Sequence, residues 1–143
     1  MDIIIGCDHG GFNLKNKIID YFNINEIQYN DFGTYSNESI DYPIIAFNVA
    51  KDVVNTNSKG ILICGSGLGM SIAANKVKGA RAVCVTDSYM AILSRQHNDS
   101  NILCLGERVL GTNAAIHIIE TWLNTPFLGE RHLRRVNMIN NYS

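Results

Sequence analysis

The loop Cys64-Gly65-Ser66-Gly67-Leu68-Gly69 joins an apolar run to a helical pattern, and its residue types are suited to holding a negative charge. Its glycines allow successive backbone N–H groups to point to one place, and the helix that follows adds its positive N-terminal end. Such a cradle binds a phosphate or stabilises an oxyanion. The spacing matches neither the Gly-x-Gly-x-x-Gly dinucleotide fingerprint nor a P-loop. A tight strand–helix turn without a ligand is the purely structural alternative.

Cys64 opens this loop, so its thiol is expected to lie beside the loop amides and at the start of a helix. Such surroundings stabilise a thiolate. A positioned thiolate acts as a nucleophile or as a general base, and the sequence leaves both roles open.

Two histidines stand where predicted strands and helices connect. His9, in Asp8-His9-Gly10-Gly11, follows the first apolar run and is placed to contact a phosphate or a hydroxyl. Asp8 can orient an imidazole or a sugar hydroxyl, cap the helix that begins near Phe12, or do both. His97, in His97-Asn98-Asp99, ends the fourth helical pattern. A helix C-terminus favours the imidazolium form, which suits His97 to acid–base catalysis. The alternative is that His97 is a surface residue without a catalytic role.

The densest charge lies in Arg131-His132-Leu133-Arg134-Arg135, which holds three of the six arginines. On a helix, positions i, i+3 and i+4 occupy neighbouring faces. Arginine suits bidentate phosphate recognition, and one short cluster in a near-neutral chain favours a small phosphate ester over a polyanion. A solvated helix end is the alternative.

The chain alternates strand and helix patterns. Continuous apolar runs predict strands buried on both faces at 3–7, 27–32, 60–64, 80–86 and 101–106. Helical patterns lie at about 12–22, 42–56, 67–77, 87–97, 112–124 and 130–141. Asp41 is expected to cap the second helix, with Pro43 in its first turn. The alternation predicts an open, mostly parallel sheet with its ligand site beyond the carboxyl ends of the strands.

Length and composition set further limits. The 143 residues predict one domain spanning 1–143, and a net charge of −1 argues against a nucleic-acid partner. No apolar run approaches a membrane span, and the N-terminus lacks a signal peptide, so a cytoplasmic domain without a membrane partner is expected. The four cysteines form no Cys-x-x-Cys pair or zinc spacing, which predicts neither a bound metal nor a disulfide framework.

Five motifs occur in one order and carry a specific resemblance. They are Gly6-Cys7-Asp8-His9-Gly10-Gly11-Phe12, Asp41-Tyr42-Pro43, Cys64 through Lys76, Ser94-Arg95-Gln96-His97-Asn98-Asp99, and Arg131-His132 followed by Arg135. Together they resemble the type B ribose-5-phosphate isomerases, of the family that includes the galactose-6-phosphate isomerase subunits. The resemblance implies a Rossmann-like three-layer αβα sandwich with a five-stranded parallel sheet. It also implies a cofactor-free aldose–ketose isomerase of the pentose phosphate pathway, working as a homodimer or tetramer with active sites at the subunit interface.

The resemblance also implies residue roles. Cys64 resembles the base that moves a proton between C1 and C2 through a cis-enediolate, with Ser66 beside it. The amides of Gly65, Gly67, Leu68 and Gly69 are implied to hold the enediolate oxygens. His97, with Asp8 nearby, resembles the group that opens the furanose ring, and Asn98 a ligand of a sugar oxygen. The implied phosphate ligands are His9, Arg131 and Arg135, with Arg108 and the pocket residue Tyr42 as further candidates.

Alternatives remain at this point. Met70 stands where another branch of the family carries a Glu base, so the chain resembles the thiol branch. An isomerase of allose or galactose 6-phosphate needs only a longer pocket. A non-catalytic sugar-phosphate binding module would have no need for a thiol and an imidazole together. A thiol phosphatase would place an arginine at the end of the cysteine loop, and residues 65–71 contain none.

Overall fold

A computed structural model describes residues 2–143, and Met1 lies outside the described residues. The strands are β1 (Ile3–Cys7), β2 (Asn30–Asp31), β3 (Lys59–Cys64), β4 (Ala82–Cys84) and β5 (Ile102–Gly106). The helices are α1 (Phe12–Ile24), α2 (Tyr42–Thr56), α3 (Leu68–Ala74), α4 (Ser88–Gln96), α5 (Thr112–Asn124) and α6 (Arg131–Asn141). A 3₁₀ turn, His9–Gly11, precedes α1.

The five strands form one parallel sheet in the order β2-β1-β3-β5-β4. Every residue of β1 and β5 is buried, as the continuous apolar runs predict for strands covered on both faces. One face packs against α1, α4 and α5, and the other against α2 and α3. The predicted α/β class and the three-layer arrangement are therefore confirmed.

The two edge strands are shorter than expected. β2 covers 30–31 where 27–32 was predicted, and β4 covers 82–84 where 80–86 was predicted. Each edge strand pairs with one neighbour only, so hydrogen bonding on a single side sets its length. At β4 the side-chain amide of Asn75 pairs with both the N–H and the C=O of Ala82, at 2.8 and 2.9 Å.

The start of α2 also differs from expectation. Pro43 lies in the first turn as predicted, but the prediction that the Asp41 side chain caps the helix is wrong, since this side chain makes no capping hydrogen bond. Two other carboxylates cap helices instead. Asp87 caps α4 through the N–H of Met90 at 2.8 Å, and Glu107 accepts the N–H of Leu14 in α1 at 2.7 Å.

The direction of the helices decides where each connection lies. In a parallel sheet each helix carries the chain from the carboxyl edge of one strand back to the amino edge of the next. The ends of β1, β3 and β5 therefore share one edge, with the starts of α1 and α3. The end of α4 lies at the opposite edge, because it leads into the start of β5.

Candidate active site

A cleft of about 420 Å³ opens at the carboxyl edge of the sheet, and we call it the thiol cleft. It is lined by Asp8, Tyr42, Cys64, Gly65, Ser66, Gly69, Arg108 and Val109. Seven of these eight residues are sequence-predicted site residues, and Val109 is the addition. The ends of β1, β3 and β5 and the starts of α2 and α3 supply them.

Cys64 ends β3 and is 6% exposed. Its Sγ accepts a hydrogen bond from the backbone N–H of Gly67 at 3.1 Å. A donor in this position stabilises negative charge on sulfur, so the geometry suits a thiolate. Ser66 is exposed beside it, and its Oγ accepts the N–H of Leu68 at 3.2 Å.

Gly67 makes the turn of this loop possible. Its φ is +82°, in the left-handed region that side chains disfavour. A Cβ at this position would also lie 2.9 Å from the Sγ of Cys84 and 2.9 Å from the carbonyl carbon of Leu105. The loop must therefore carry glycine here if its N–H is to reach Cys64.

The chain after β5 holds the loop from behind. The N–H of Glu107 donates to the Cys64 carbonyl at 2.9 Å, and the N–H of Arg108 donates to the Gly65 carbonyl at 3.0 Å. The Arg108 guanidinium lies over Gly65, with Nη1 3.3 Å from where a Cβ would stand. A cation thus borders the amide-rich loop, which favours an anionic ligand in the thiol cleft.

Asp8 and His9 lie together after β1. Asp8 Oδ1 accepts the N–H groups of Gly10 at 2.9 Å and Gly11 at 3.2 Å, so Asp8 caps the 3₁₀ turn that leads into α1, whereas the sequence had suggested that it caps α1 itself. The exposed His9 accepts the N–H of Ile40 at its Nδ1, at 3.2 Å. In a neutral imidazole this leaves the proton on Nε2, where it can be donated to a ligand.

Tyr42 packs against the cradle. It is the first residue of α2, and a Cβ on Gly69 would come within 2.6 Å of its ring. The absence of a side chain at position 69 therefore lets the phenol lie close against the start of α3.

The remaining predicted site residues lie elsewhere, and we call them the histidine–arginine group: His97, Asn98, Arg131 and Arg135. His97 follows α4 at the amino edge of the sheet, and the five residues of β5 separate that edge from the Cys64 edge. Four steps along a strand span about 13 Å at roughly 3.3 Å per residue. Within one chain His97 does not lie near Asp8, because α4 carries the chain to the opposite edge, so the expected proximity of these two residues stays a prediction for two copies of the chain.

The members of the histidine–arginine group do lie close to one another. His97 stacks on His132 of α6, with ring centroids 4.3 Å apart and an interplanar angle of 15°. Arg131 and Arg135 are exposed on the same helix, with Arg135 Nη1 3.3 Å from the Arg131 carbonyl. Partial desolvation, followed by the neighbouring charges of His97, Arg131 and Arg135, lowers the pKa of His132.

Two structural roles had no assignment from the sequence. The Lys15 ammonium is buried, pairs with Asp31 at 2.7 Å, and donates to the Thr34 carbonyl at 2.6 Å. Arg95 is buried and pairs with Asp99 at 2.8 Å. The i, i+4 spacing of Arg95 and Asp99 was a sequence signal for this ion pair. Both residues lie within a motif quoted above for the family resemblance, which assigned neither of them a role. Among residues 2–143, no group of three or more His, Cys, Asp or Glu side chains is placed to hold a metal ion.

The comparison with protein families matches residues 3–139 to the family described as Ribose/Galactose Isomerase. The chain belongs to this family. Membership confirms the resemblance carried by the five motifs, and the match spans both the thiol cleft and the histidine–arginine group. Within residues 2–143, no helix has the length and apolar character needed to cross a membrane.

Individual members of the ribose/galactose isomerase family are similar along nearly their whole length. Ribose-5-phosphate isomerase B of Escherichia coli (strain K12) is 47% identical over 138 residues, covering 96% of this chain and 93% of that protein. The structure of Clostridium thermocellum ribose-5-phosphate isomerase B has a TM-score of 0.95 and 53% identity, covering 98% of this chain and 95% of the other. Ribose-5-phosphate isomerase B from Mycoplasma genitalium with bound ribulose-5-phosphate has a TM-score of 0.93 and 40% identity, covering 99% and 95%.

Proposed function

We propose that this chain interconverts ribose 5-phosphate and ribulose 5-phosphate as a cofactor-free aldose–ketose isomerase. The observation that carries the proposal is the Cys64 thiol, held by the Gly67 N–H at 3.1 Å at the opening of an amide-rich loop in the thiol cleft. The similar proteins named ribose-5-phosphate isomerase B support the choice of substrate.

In the proposed mechanism Cys64 takes the C2 proton of the open-chain aldose and returns it to C1, while the proton of the C2 hydroxyl moves to O1. The electron pair left at C2 forms a cis-enediolate, whose negative oxygens accept hydrogen bonds from the loop amides and from Ser66. The sugar gains and loses no hydrogen overall, so the reaction needs no oxidant or reductant. The amides act where charge develops, and this favours the enediolate over the aldose in the ground state.

Ring opening requires a second acid–base group, because only the open-chain aldose can lose its C2 proton. We assign this step to His97, with Asn98 on a sugar oxygen. Arg131 and Arg135 are assigned to the phosphate, together with His9, and Arg108 is a further candidate.

The separation of the two groups supports the homodimer expected from the resemblance. In a two-fold dimer, each copy gives its partner the same surface that it receives. If the thiol cleft of one copy faces the histidine–arginine group of the other, the same rotation builds a second, identical site. The apolar side chains of Ile44 and Phe47 on α2 and of Leu68 and Ile72 on α3 are exposed near the cleft, which supports a protein partner there.

A cytoplasmic location belongs to the same proposal. The structure has four free cysteines, at positions 7, 64, 84 and 104. Unpaired thiols are typical of a reducing compartment, where phosphorylated sugars are made and used.

The test is a coupled assay of the purified protein on ribose 5-phosphate, allose 6-phosphate and galactose 6-phosphate. We expect the highest kcat/KM on ribose 5-phosphate. A Cys64→Ala variant purified in parallel controls for isomerases carried over from the expression host. Turnover of a hexose phosphate alone would assign the chain to that sugar, and binding without turnover of any of the three would leave a sugar-phosphate binding module.

A further inference from the structure

The turn that follows α4 is held by an ionic bridge that the proposed reaction does not use. Asp99 has a φ of +47°, in the left-handed region. Its Oδ1 lies 2.8 Å from Nη1 of Arg95, and its Oδ2 lies 3.4 Å from Nη2 of Arg81. One carboxylate therefore joins two guanidinium groups, one residue beyond Asn98 and two beyond His97.

Arg95 extends this bridge to the segment that leads into α6. Its side chain is 7% exposed. Nη1 donates to the Ser100 carbonyl at 2.6 Å, and Nε donates to the Thr125 carbonyl at 3.1 Å. The N–H of Leu128 donates to the Gln96 carbonyl at 3.2 Å. The end of α4 is thus attached directly to residues 125–128.

Arg81 extends the bridge to α6 itself. Its Nε donates to the Asp99 carbonyl at 2.8 Å, and its Nη1 donates to Oδ1 of Asn140 at 2.9 Å. Asn140 lies in the same helix as Arg131 and Arg135. The carboxylate of Asp99 therefore stands between the turn that carries His97 and the helix that carries the two arginines.

A third cation, Lys59, stands at the start of β3, and its charge is influenced by the same residues. Burial, followed by the positive charges of Arg95 and Arg81, lowers the pKa of Lys59, and the carboxylate of Asp99 opposes this shift. The guanidinium groups of Arg81 and Arg95 both contact this carboxylate, so removing its charge leaves two neighbouring cations to repel one another.

We propose that Asp99 is a positioning residue whose carboxylate, by bridging Arg81 and Arg95, holds His97 and Asn98 in register with Arg131 and Arg135. The inference rests on the proposed function for the roles of those four residues. The bridge makes the ring-opening imidazole and the phosphate-binding guanidiniums one rigid unit, which can be presented to a sugar phosphate in a fixed geometry.

The first variant is Asp99→Asn, because asparagine adopts the left-handed conformation readily and nearly preserves the shape while removing the charge. Displacement of a positioned group by about 1 Å costs up to roughly 100-fold in rate. We expect kcat/KM on ribose 5-phosphate to fall about 10- to 100-fold, through a higher KM and a lower kcat. Deuterium exchange from D₂O into saturating ribulose 5-phosphate, which uses Cys64, should be retained.

The matched control is Asp87→Ala, which removes the N-cap at the other end of α4 and leaves the bridge intact. A merely structural effect would lower kcat and exchange equally at unchanged KM in both variants. Arg81→Gln provides a second route if Asp99→Asn does not fold, and in the double variant the two effects should be non-additive. Unchanged KM and kcat in Asp99→Asn, or equal loss of kcat and exchange, would overturn the proposal.

An NMR measurement, which does not depend on enzymatic activity, tests the positioning role of Asp99 separately from the proposed function. The stacked rings of His97 and His132 shift each other's NMR signals, so Asp99→Asn should move these two imidazole signals and leave those of His9 and His117 unchanged. If the wild type is inactive on ribose 5-phosphate and these shifts occur, the proposed function fails and the positioning role stands. If all four signals stay in place, the positioning role fails.

Discussion

At the scale of single residues, the four cysteines differ in what surrounds each sulfur. Burial raises the pKa of Cys7 to about 12 and raises the pKa of the fully buried Cys104 well above 9.0. Burial, followed by the charge of Cys64, also raises the pKa of Cys84. Cys64 alone of the four receives a backbone N–H and lines the thiol cleft. The structure therefore favours Cys64 as the reactive thiol.

Cys64→Ala should lower kcat about 10²- to 10⁴-fold, the usual contribution of a general base. The fold should persist, because the change removes one sulfur atom at the border of the cleft. Steady-state kinetics and the melting temperature check both statements. Cys84→Ala is the matched control, since its sulfur lies close to the same loop but outside the proposed mechanism. Near-wild-type turnover in Cys64→Ala would exclude the thiol as the base.

His132 provides a pH test. Its pKa lies below the ordinary 6.5, with desolvation as the first cause and His97 as the second. The unfolded chain then holds this proton more tightly, so protonation disfavours the folded state. This loss in the free energy of unfolding is absent well above pH 6.5. It grows as the pH falls through 6.5 and then through the pKa of His132 in the folded state. In His132→Asn, the free energy of unfolding should fall less steeply below pH 6.5, and an NMR midpoint of His132 at or above 6.5 would contradict this.

At the scale of elements, the sequence predicted interior segments better than edges. α2 and α5 have the expected bounds, because each buries a row of apolar side chains against the sheet along its whole length. β2 and β4 are shorter than their apolar runs, since partner strands and side chains such as Asn75 set where pairing stops. The capping role of Glu107 on α1 comes from 93 residues away, so no local pattern contains it.

The candidate site was predictable in its residues but not in its geometry. The motifs identified Cys64 and Asp8, and the resemblance added Arg108 as a further candidate. These three residues share the thiol cleft. The motifs also identified His97, but a motif does not show at which edge of the sheet its residues lie. That placement depends on the crossover direction of α4, which only the full topology supplies.

Gly67 is the position in the loop where a methyl group should cost most. Gly67→Ala combines left-handed strain with contacts of 2.9 Å to Cys84 and Leu105, so we expect a loss of roughly 2–5 kcal/mol in the free energy of unfolding. Gly129→Ala is the matched control, since its φ is +70° but nothing lies within 4 Å, and it should cost only about 1–2 kcal/mol. Denaturant unfolding measures both, and equal losses would show that the contacts are relieved.

At the scale of the whole molecule, one chain carries the two groups at opposite edges of its sheet. The thiol cleft lies at the ends of β1, β3 and β5, and His97 lies before the start of β5. No rotation of a side chain can cross the length of a strand. If both groups act on one sugar phosphate, they must come from different copies, and a two-fold dimer then holds two such composite sites.

Mixing two inactive variants tests this arrangement. In a hybrid dimer of Cys64→Ala and His97→Asn, one site combines both lesions, and the other combines the intact Cys64 of one copy with the intact His97 of its partner. After denaturation and joint refolding at equal amounts, about half of the dimers are hybrids, and each has one working site of two. We therefore expect about one quarter of wild-type turnover on ribose 5-phosphate, from two preparations that are each nearly inactive alone. If each chain built a whole site by itself, every copy in the mixture would still lack one of the two groups, and co-refolding would restore nothing.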